Sequence, residues 1–171
     1  MMSPVLARVA QVLQDYLPAE LNLIDAEEGG DATPDVPASS YYLYDRRSIS
    51  SFPAIALRPR PSRILQVLPL LMGQRVVAEH RVDVLFHDQL LDAGEDALAL
   101  QMRVIRYAVG GFRVLCVMKE GLQTAADPTR WADLVLSAGD IDWGPQDDQG
   151  QGEIARTAVL PIAVRRTEVR S

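Results

Sequence analysis

The strictest alternation of apolar and polar residues in this chain runs from Gln74 to Asp88. One face of the segment is apolar apart from a histidine and consists of Val76, Ala78, His80, Val82, Val84 and Phe86. The other face carries charges of both signs, on Arg75, Glu79, Arg81 and Asp83. Because successive side chains of a strand point to opposite faces, the pattern predicts a long, half-buried antiparallel strand.

Two segments have the three- and four-residue spacing of amphipathic helices. The first is predicted to begin with Ser3 as N-cap and Pro4 at the first helical position, and to end before Pro18. The second opens with Asp92 and Glu95, which are spaced as in a capping box, and Gly110 and Gly111 are predicted to end it. Its predicted buried stripe is Leu98, Met102, Ile105 and Val109, widened by Ala97, Val104 and Ala108, with Arg103 and Arg106 on the polar side.

The remaining segments predict short strands and an acidic loop. Strands are expected at 21–25, 41–45 and 52–59, and a mobile acidic loop at about 27–40. Residues 112–118 fit a strand or a resumed helix, and 128–138 fit both spacings, with two short strands favoured. The whole predicts a single α+β domain over 1–171, a mainly antiparallel β-sheet with two or three helices packed on one face.

The last segment, Glu153 to Arg170, predicts a strand of about 17 residues whose middle is apolar on both faces. Pro161 lies at its centre and has no amide hydrogen, so an edge position or a bulge is expected there. An edge strand of this length would invite pairing with another chain. The end of the segment, "RRTEVR", is therefore predicted to contact a subunit or partner.

Charge is distributed unevenly along the chain. The net charge of −6 argues against a protein that simply coats nucleic acid. Residues 1–45 contain eight acids and one base, Arg8, whereas residues 46–85 contain seven arginines and two acids. This asymmetry suits a surface that meets a partner of complementary sign, including another copy of the chain. The alternative is two solvated faces.

Motifs of catalysis and metal binding are not found in the sequence. The single lysine is not in a phosphate-binding loop, and no nucleophile elbow occurs. His80 and His87 are an odd number of residues apart on one strand, so they point to opposite faces; His80 is expected in the core and His87 at the surface. The acids Asp140 and Asp142 depart from the calcium-loop pattern at Gly144. We therefore expect no enzyme, no catalytic or metal-binding residue and no cofactor.

Charged residues in the arginine-rich middle and at the end of the last strand are the candidate subunit or partner interface. These residues are Arg58, Arg60, Arg63, Arg75, Glu79, Arg81, Asp83, Arg165, Arg166, Glu168 and Arg170.

The order of segments resembles the tail terminator family of tailed phages, which belongs with the small neck and tail proteins. The resemblance consists of the N-terminal helix, the acidic loop, "FPAIALRP", "RVVAEHRVDVLFHD", "DAGEDALALQMRVIRYAV" and the final "ARTAVLPIAVRRTE". It implies a virion protein, made in the host cytoplasm, that forms a ring, typically a homohexamer, at the head-proximal end of the tail. Such a ring terminates tail-tube polymerisation, joins the tail to the head connector, and uses no catalytic residue or cofactor.

The resemblance also implies partners: other copies of the chain, the tail tube protein, the connector and neck proteins, and DNA passing through the channel, but no membrane. The 27–40 loop and the "QDDQGQG" turn are additions to this outline and leave open which face meets the tube. The alternatives are another neck or head–tail joining protein, or a non-viral module that binds protein or nucleic acid.

Overall fold

The fold is a β-sheet with two helices packed on one face. The computed structural model describes residues 3–44, 49, 51–71, 73–90, 97–117, 134–137, 140–143, 147–148 and 154–170. The helices are α1 (Ser3–Glu28) and α2 (Ala97–Phe112), the latter continued by a π-helical turn, Arg113–Val117. A 3₁₀ turn lies at Ala38–Ser40. The strands are β1 (Tyr41–Tyr42), β2 (Ala54–Pro59), β3 (Arg63–Leu70), β4 (Gly73–Gln89), β5 (Leu134–Ser137), β6 (Asp142–Trp143), β7 (Asp147–Asp148) and β8 (Ile154–Arg170).

Strand β4 is the axis of the sheet, as its alternation predicts. On one side β2 pairs with its C-terminal half and β3 with its N-terminal half, while β8 pairs with it along its full length on the other side. All of these pairs are antiparallel, and β1 adds to β2 in parallel. The predicted α+β class, with a mainly antiparallel sheet, is confirmed. No helix among the described residues is long and apolar enough to cross a membrane.

The main core lies between the helices and one face of the sheet. Val82, Val84 and Phe86 of β4 and Leu160 and Ile162 of β8 contribute to it with less than 2% of their surface exposed. A smaller cluster on the opposite face joins Tyr42, Ala54, Ala56 and Leu85, with Val159 packed against it. The middle of β8 is thus covered on both faces, as its two apolar faces predict.

Helix α1 is longer than the sequence pattern predicts. Pro18 lies inside it, and the strand expected at 21–25 is wrong, because these residues are helical. Leu17, Leu21 and Ile24 are buried and continue the apolar spacing of the first turns. A proline inside a helix costs about 3 kcal/mol through one lost hydrogen bond and a steric conflict. Burial of side chains of this size, worth about 1.5–3 kcal/mol each, offsets that cost.

The buried face of α2 includes Val104 and Ala108 of the predicted stripe but is not centred on that stripe. Leu98 and Met102 are exposed, and the buried positions are Leu100, Val104, Arg106, Tyr107, Ala108, Gly110 and Gly111. The two glycines do not end the helix but pack at close approaches. A Cβ on Gly111 would overlap the ring of Phe86, and one on Gly110 would lie 2.9 Å from Cδ1 of Leu17. The open choice at 112–118 is helical as far as Val117, and the capping pair Asp92 and Glu95 lies outside the described residues.

Strand β8 is not an edge strand, so that prediction is wrong. It lies between β4 and the series β5, β6 and β7. The register with β4 runs through Asp83↔Pro161 without a shift, so no bulge occurs there either. The ladder with β5 ends at Ile162 and the ladder with β6 begins at Val159, so the described pairs on this side leave out Pro161. The missing amide hydrogen falls in the interval between two short strands. Strands β5 and β6 agree with the two short strands favoured for 128–138 and the residues that follow. Residues 128–133 lie outside the described part of the chain.

The segment after α1 is held by hydrogen bonds. Asp25 accepts from the backbone N and the hydroxyl of Thr33, at 2.7 and 2.6 Å. The hydroxyl of Tyr107 donates to the carbonyl of Pro34. The predicted loop thus begins within α1 and ends in the 3₁₀ turn. Its mobility stays a prediction.

Candidate assembly interface

The sheet face opposite the helices carries the charged residues of β2, β3 and β4, and Asp83 is one of its two acidic centres. Asp83 lies directly opposite Arg58 in the β2–β4 register. Its Oδ2 accepts from Nη2 of Arg58 at 3.0 Å and from Nε of Arg60 at 2.7 Å. The Asp83 side chain is only 6% exposed, because the two arginines cover it. The backbone N of Arg60 also donates to the carbonyl of Arg81, which fixes the chain beyond the end of β2.

Glu79 is the second acidic centre. Its Oε1 lies 3.4 Å from Nε of Arg63 on β3 and 3.1 Å from Nε of Arg81 on its own strand. Arg63 faces Glu79 in the β3–β4 register, and Arg165 of β8 faces it from the other side. The carboxylate is nearly buried while both paired arginines are about half exposed or more. Alternating charges along β4 therefore serve to pair neighbouring strands within the chain.

What this face offers to a partner is mainly guanidinium. Four arginines, Arg58, Arg60, Arg63 and Arg81, share the two covered carboxylates, so positive charge is in excess at the surface. A cleft of about 380 Å³ opens here, lined by Arg60, Pro61, Arg81, Asp83, Pro161 and Ile162. We call this surface, defined by the four arginines and the two acids, the arginine face.

The other predicted interface residues are distributed over both sides of the sheet. Arg75 is exposed near the start of β4, opposite Val169. Arg165 lies on the side of the arginine face, whereas Arg166 pairs with Ala78 and lies on the side of the helices. Glu168 and Arg170 pair with Val76 and Gln74 at the far end of β8. The structure thus brings Arg58, Arg60, Arg63, Glu79, Arg81 and Asp83 together, and it places Arg165 and Arg166 of "RRTEVR" on opposite sides of the sheet.

Helix α1 and the segment that follows it carry the opposite charge. Helix α1 and the segment that follows it contain Asp15, Glu20, Asp25, Glu27, Glu28, Asp31 and Asp35. Arg106 of α2 and Arg113 of the π-helical turn pair with four of these acids, and Asp15, Asp31 and Asp35 are exposed. We call this surface, defined by the seven acids, the acidic layer. It packs on the face of the sheet that is opposite the arginine face.

Sequence reasoning missed Arg106, which it placed on the polar side of α2. Arg106 is buried and donates to Asp25 Oδ1 at 3.0 Å, Glu28 Oε2 at 3.1 Å and the carbonyls of Gly29 at 2.8 Å and Asp31 at 3.0 Å. Burial raises the pKa of Asp25, but the bonds from Thr33 and the charge of Arg106 outweigh it, so the pKa lies below 3.8. The sequence signal for this role was the cluster of acids after residue 20. Where the end of α1 packs against another helix, these carboxylates need a positively charged side chain as a partner.

The two histidines are held by hydroxyl groups. His80 is buried, as predicted, and its Nδ1 lies 2.9 Å from Oγ of Ser62. His87 is half-buried rather than at the surface, because its Nδ1 lies 2.8 Å from Oγ1 of Thr157 on β8. Within the described part of the chain, no three His, Cys, Asp or Glu side chains form a group that could hold a metal ion.

Comparisons with known proteins were made by family model, by curated sequence and by structure. No family model matches the chain, and no curated protein matches it. Among solved structures, the chain is similar to a chain from the virion of a native gene transfer agent (GTA) particle, at 16% identity and a TM-score of 0.29. The similarity covers 94% of this chain and 98% of the other. This TM-score is below the range that indicates a common fold.

Proposed function

We propose that this protein is a structural assembly protein of a phage-type virion. In this proposal it forms a closed ring of identical copies, typically six, at the head-proximal end of a tail. There it terminates tail-tube polymerisation and joins the tail to the head connector. It acts by contact alone and needs neither a catalytic group nor a cofactor.

The observation that carries the proposal is the opposite charge of the two sides of the molecule. The arginine face and the acidic layer lie on opposite sides of the sheet. A ring requires heterologous contacts, in which one surface of a copy meets a different surface of the next. Complementary charges steer such contacts and fix their orientation.

The order of the elements also supports the proposal. Helix α1, the acidic segment, β2, the long β4, α2 and the closing β8 occur in the sequence order on which the resemblance to tail terminators rests. Another neck or head–tail joining protein would have much of the same outline. Attachment to tail tubes, rather than to connectors alone, would distinguish a terminator.

The second candidate is a module that binds nucleic acid, which the positive excess of the arginine face favours. A binder of this kind would hold DNA oligonucleotides with an affinity that falls steeply with salt. It would do so without self-association. The two candidates therefore differ in what the pure protein does in the absence of DNA.

The test is the oligomeric state of the pure protein, measured by light scattering and negative-stain imaging over a range of protein and salt concentrations. We expect rings of one stoichiometry, weakened at high salt. The double variant Asp31→Arg, Asp35→Arg should weaken each contact roughly tenfold, since two exposed attractions become repulsions worth together on the order of 1–2 kcal/mol. Asp140→Arg is the matched control, because Asp140 is also exposed but lies outside the acidic layer.

A strict monomer at every concentration, without affinity for tail tubes, would overturn the proposal. Salt-dependent binding of DNA by that monomer would establish the second candidate in its place.

A further inference from the structure

We propose that the β3–β4 hairpin is an assembly arm that packs against the outer face of α2 in a second copy of this chain. This inference deepens the proposed function, and it rests on self-association of the chain. It assigns the apolar contact between copies to two surfaces that the charges alone do not identify.

The arm is apolar and unusually exposed. Every residue of β3, from Arg63 to Leu70, is exposed. Its exposed aliphatic side chains, together with the next residue, are Ile64, Leu65, Val67, Leu68, Leu70 and Leu71. Scattered apolar residues are normal on a surface, but a contiguous apolar patch marks an interaction site. Among the described strands β3 pairs only with β4, so its outer edge also presents unpaired backbone groups.

The tip of the β3–β4 hairpin presents an apolar side chain to solvent. Leu70 pairs with Gly73, and Leu71 lies in the turn that follows β3. Two-residue hairpin turns favour Asn-Gly or Asp-Gly, which are polar and tolerate positive φ. Here Gly73 has a positive φ of 108°, and Leu71 is fully exposed. A leucine in this place gains nothing from solvent, and it indicates a tip that is covered in the assembled state.

The acceptor surface is the outer stripe of α2, defined by Leu98, Met102, Ile105 and Val109. These residues recur at three and four positions and form one helix face. Leu98 is 61% exposed, Met102 is exposed, and the other two are half-buried. The opposite side of α2 packs on the sheet through Val104, Tyr107 and Gly111. The helix therefore has a second apolar face that the described chain leaves partly exposed.

A second copy is the occupant that matches both surfaces. Each copy has one arm and one acceptor stripe at different places, so head-to-tail contacts in a ring cover all arms and all stripes. Charge agrees with this pairing. Arg63 and Arg75 are exposed beside the apolar residues of the arm. The acidic layer meets α2 and the following turn at Arg106 and Arg113, whose partners Glu28 and Glu27 are 43% and 58% exposed.

Disulfide trapping tests the contact directly. Cys116 is the only cysteine and is first replaced by Cys116→Ser. In that background the pair Leu71→Cys, Leu98→Cys should give, on mild oxidation, a ladder of covalent oligomers that ends at the ring size. Either substitution alone can yield no more than dimers, because a ladder needs two different linked sites per copy. The matched control is Leu71→Cys with Leu23→Cys, since Leu23 is equally exposed but lies on α1.

A second variant measures the contribution of the arm. Leu68→Glu places a charge in the apolar contact and should shift the concentration for ring formation at least tenfold upward. Leu23→Glu should leave it unchanged. Circular dichroism and urea unfolding should be the same for both variants and the parent, because both side chains are exposed in a single copy.

The outcomes separate this inference from the proposed function. If the parent forms rings, yet the Leu71, Leu98 pair gives no ladder and Leu68→Glu still assembles, the arm contact is wrong and ring formation stands. If Leu71→Cys alone gives efficient dimers and the pair gives no ladder, the arms meet each other and the proposed occupant is wrong. If the pair gives a ladder without closed rings in the parent, the arm contact stands and the proposed function fails.

Discussion

Replacement of Arg106 in α2 should destabilise the protein more than replacement of Arg113 in the turn that follows the helix. Arg106 ties the end of α1 and the following segment to α2. It donates to two carboxylates, on Asp25 and Glu28, and to the backbone carbonyls of Gly29 and Asp31. The variant Arg106→Met keeps most of the aliphatic stem and removes the charge together with all of these bonds.

The size of the effect follows from what is left behind. Removing one partner of a buried ion pair costs about 3–5 kcal/mol, because the other charge is left uncompensated. Asp25 would keep its two bonds from Thr33, and Glu28 is 43% exposed and can be hydrated. These two factors reduce the expected loss to about 2–4 kcal/mol. Arg106→Lys keeps the charge but not the planar fork of donors, so it should recover about half of that loss.

Urea unfolding at neutral pH measures this difference. With a slope of about 2 kcal/mol per molar urea, the middle of the usual range, the midpoint should fall by roughly 1–2 M. Arg113→Met is the matched control, since Arg113 also pairs with acids of α1, Glu20 and Glu27, but its side chain is 36% exposed. Its midpoint should move much less, because water replaces the lost partners. Equal shifts for the two variants would refute the view that Arg106 acts as a buried tie.

Three further outcomes test the packing and the titration of single groups. Gly111→Ala should lower the free energy of unfolding, measured in urea, by a net of about 1–2 kcal/mol, since overpacking against Phe86 exceeds the gain in helix propensity. Gly110→Ala should be near neutral, because the flexible end of Leu17 can move. Equal effects of the two substitutions would contradict the close approach of Phe86 to Gly111. Because the folded pKa of Asp25 lies below 3.8, its stabilisation should be complete above that pH and be lost as the pH falls through the folded value, and Asp25→Asn should remove this part of the acid dependence. Burial raises the pKa of Cys116 to about 11, so alkylation at pH 8 should be slow in the folded protein and fast in urea; rapid alkylation without urea would contradict that burial.

The sequence predicts β4 and the α+β class because a strict alternation of apolar and polar residues fits a half-buried strand and does not fit a helix. Helix α2 shows the opposite situation. It has apolar residues on two faces, and periodicity alone does not say which face meets the sheet. The glycines at 110 and 111 decide it, since only there can Phe86 and Leu17 approach so closely. From the local sequence alone, the same two glycines predict the end of the helix. The wrong helix end and the wrong buried face therefore have a common cause.

The two prolines mislead for a related reason. Pro18 and Pro161 each remove one amide donor, and local rules then predict a helix end and an edge strand. In the structure tertiary packing continues α1 through Pro18, and the sheet places Pro161 between two short strands. Each proline removes one backbone hydrogen bond, and the surrounding structure can be arranged so that no donor is needed at that position. Sequence does not reveal such an arrangement, because the partners are more than 70 residues away or on a separate element.

The charges of the candidate interface have two roles, and only the structure separates them. Asp83 and Glu79 are covered by arginines of their own chain, and most of the acids near Arg106 and Arg113 are paired within the fold. What remains is an excess of positive charge on one side and of negative charge on the other. Two solvated faces are the alternative explanation of that excess. They do not account for an exposed hairpin that presents Ile64, Leu68 and Leu71 to water, since a solvated hairpin has no use for apolar side chains at its tip. The apolar arm therefore favours a partner over solvent for the charged surfaces as well.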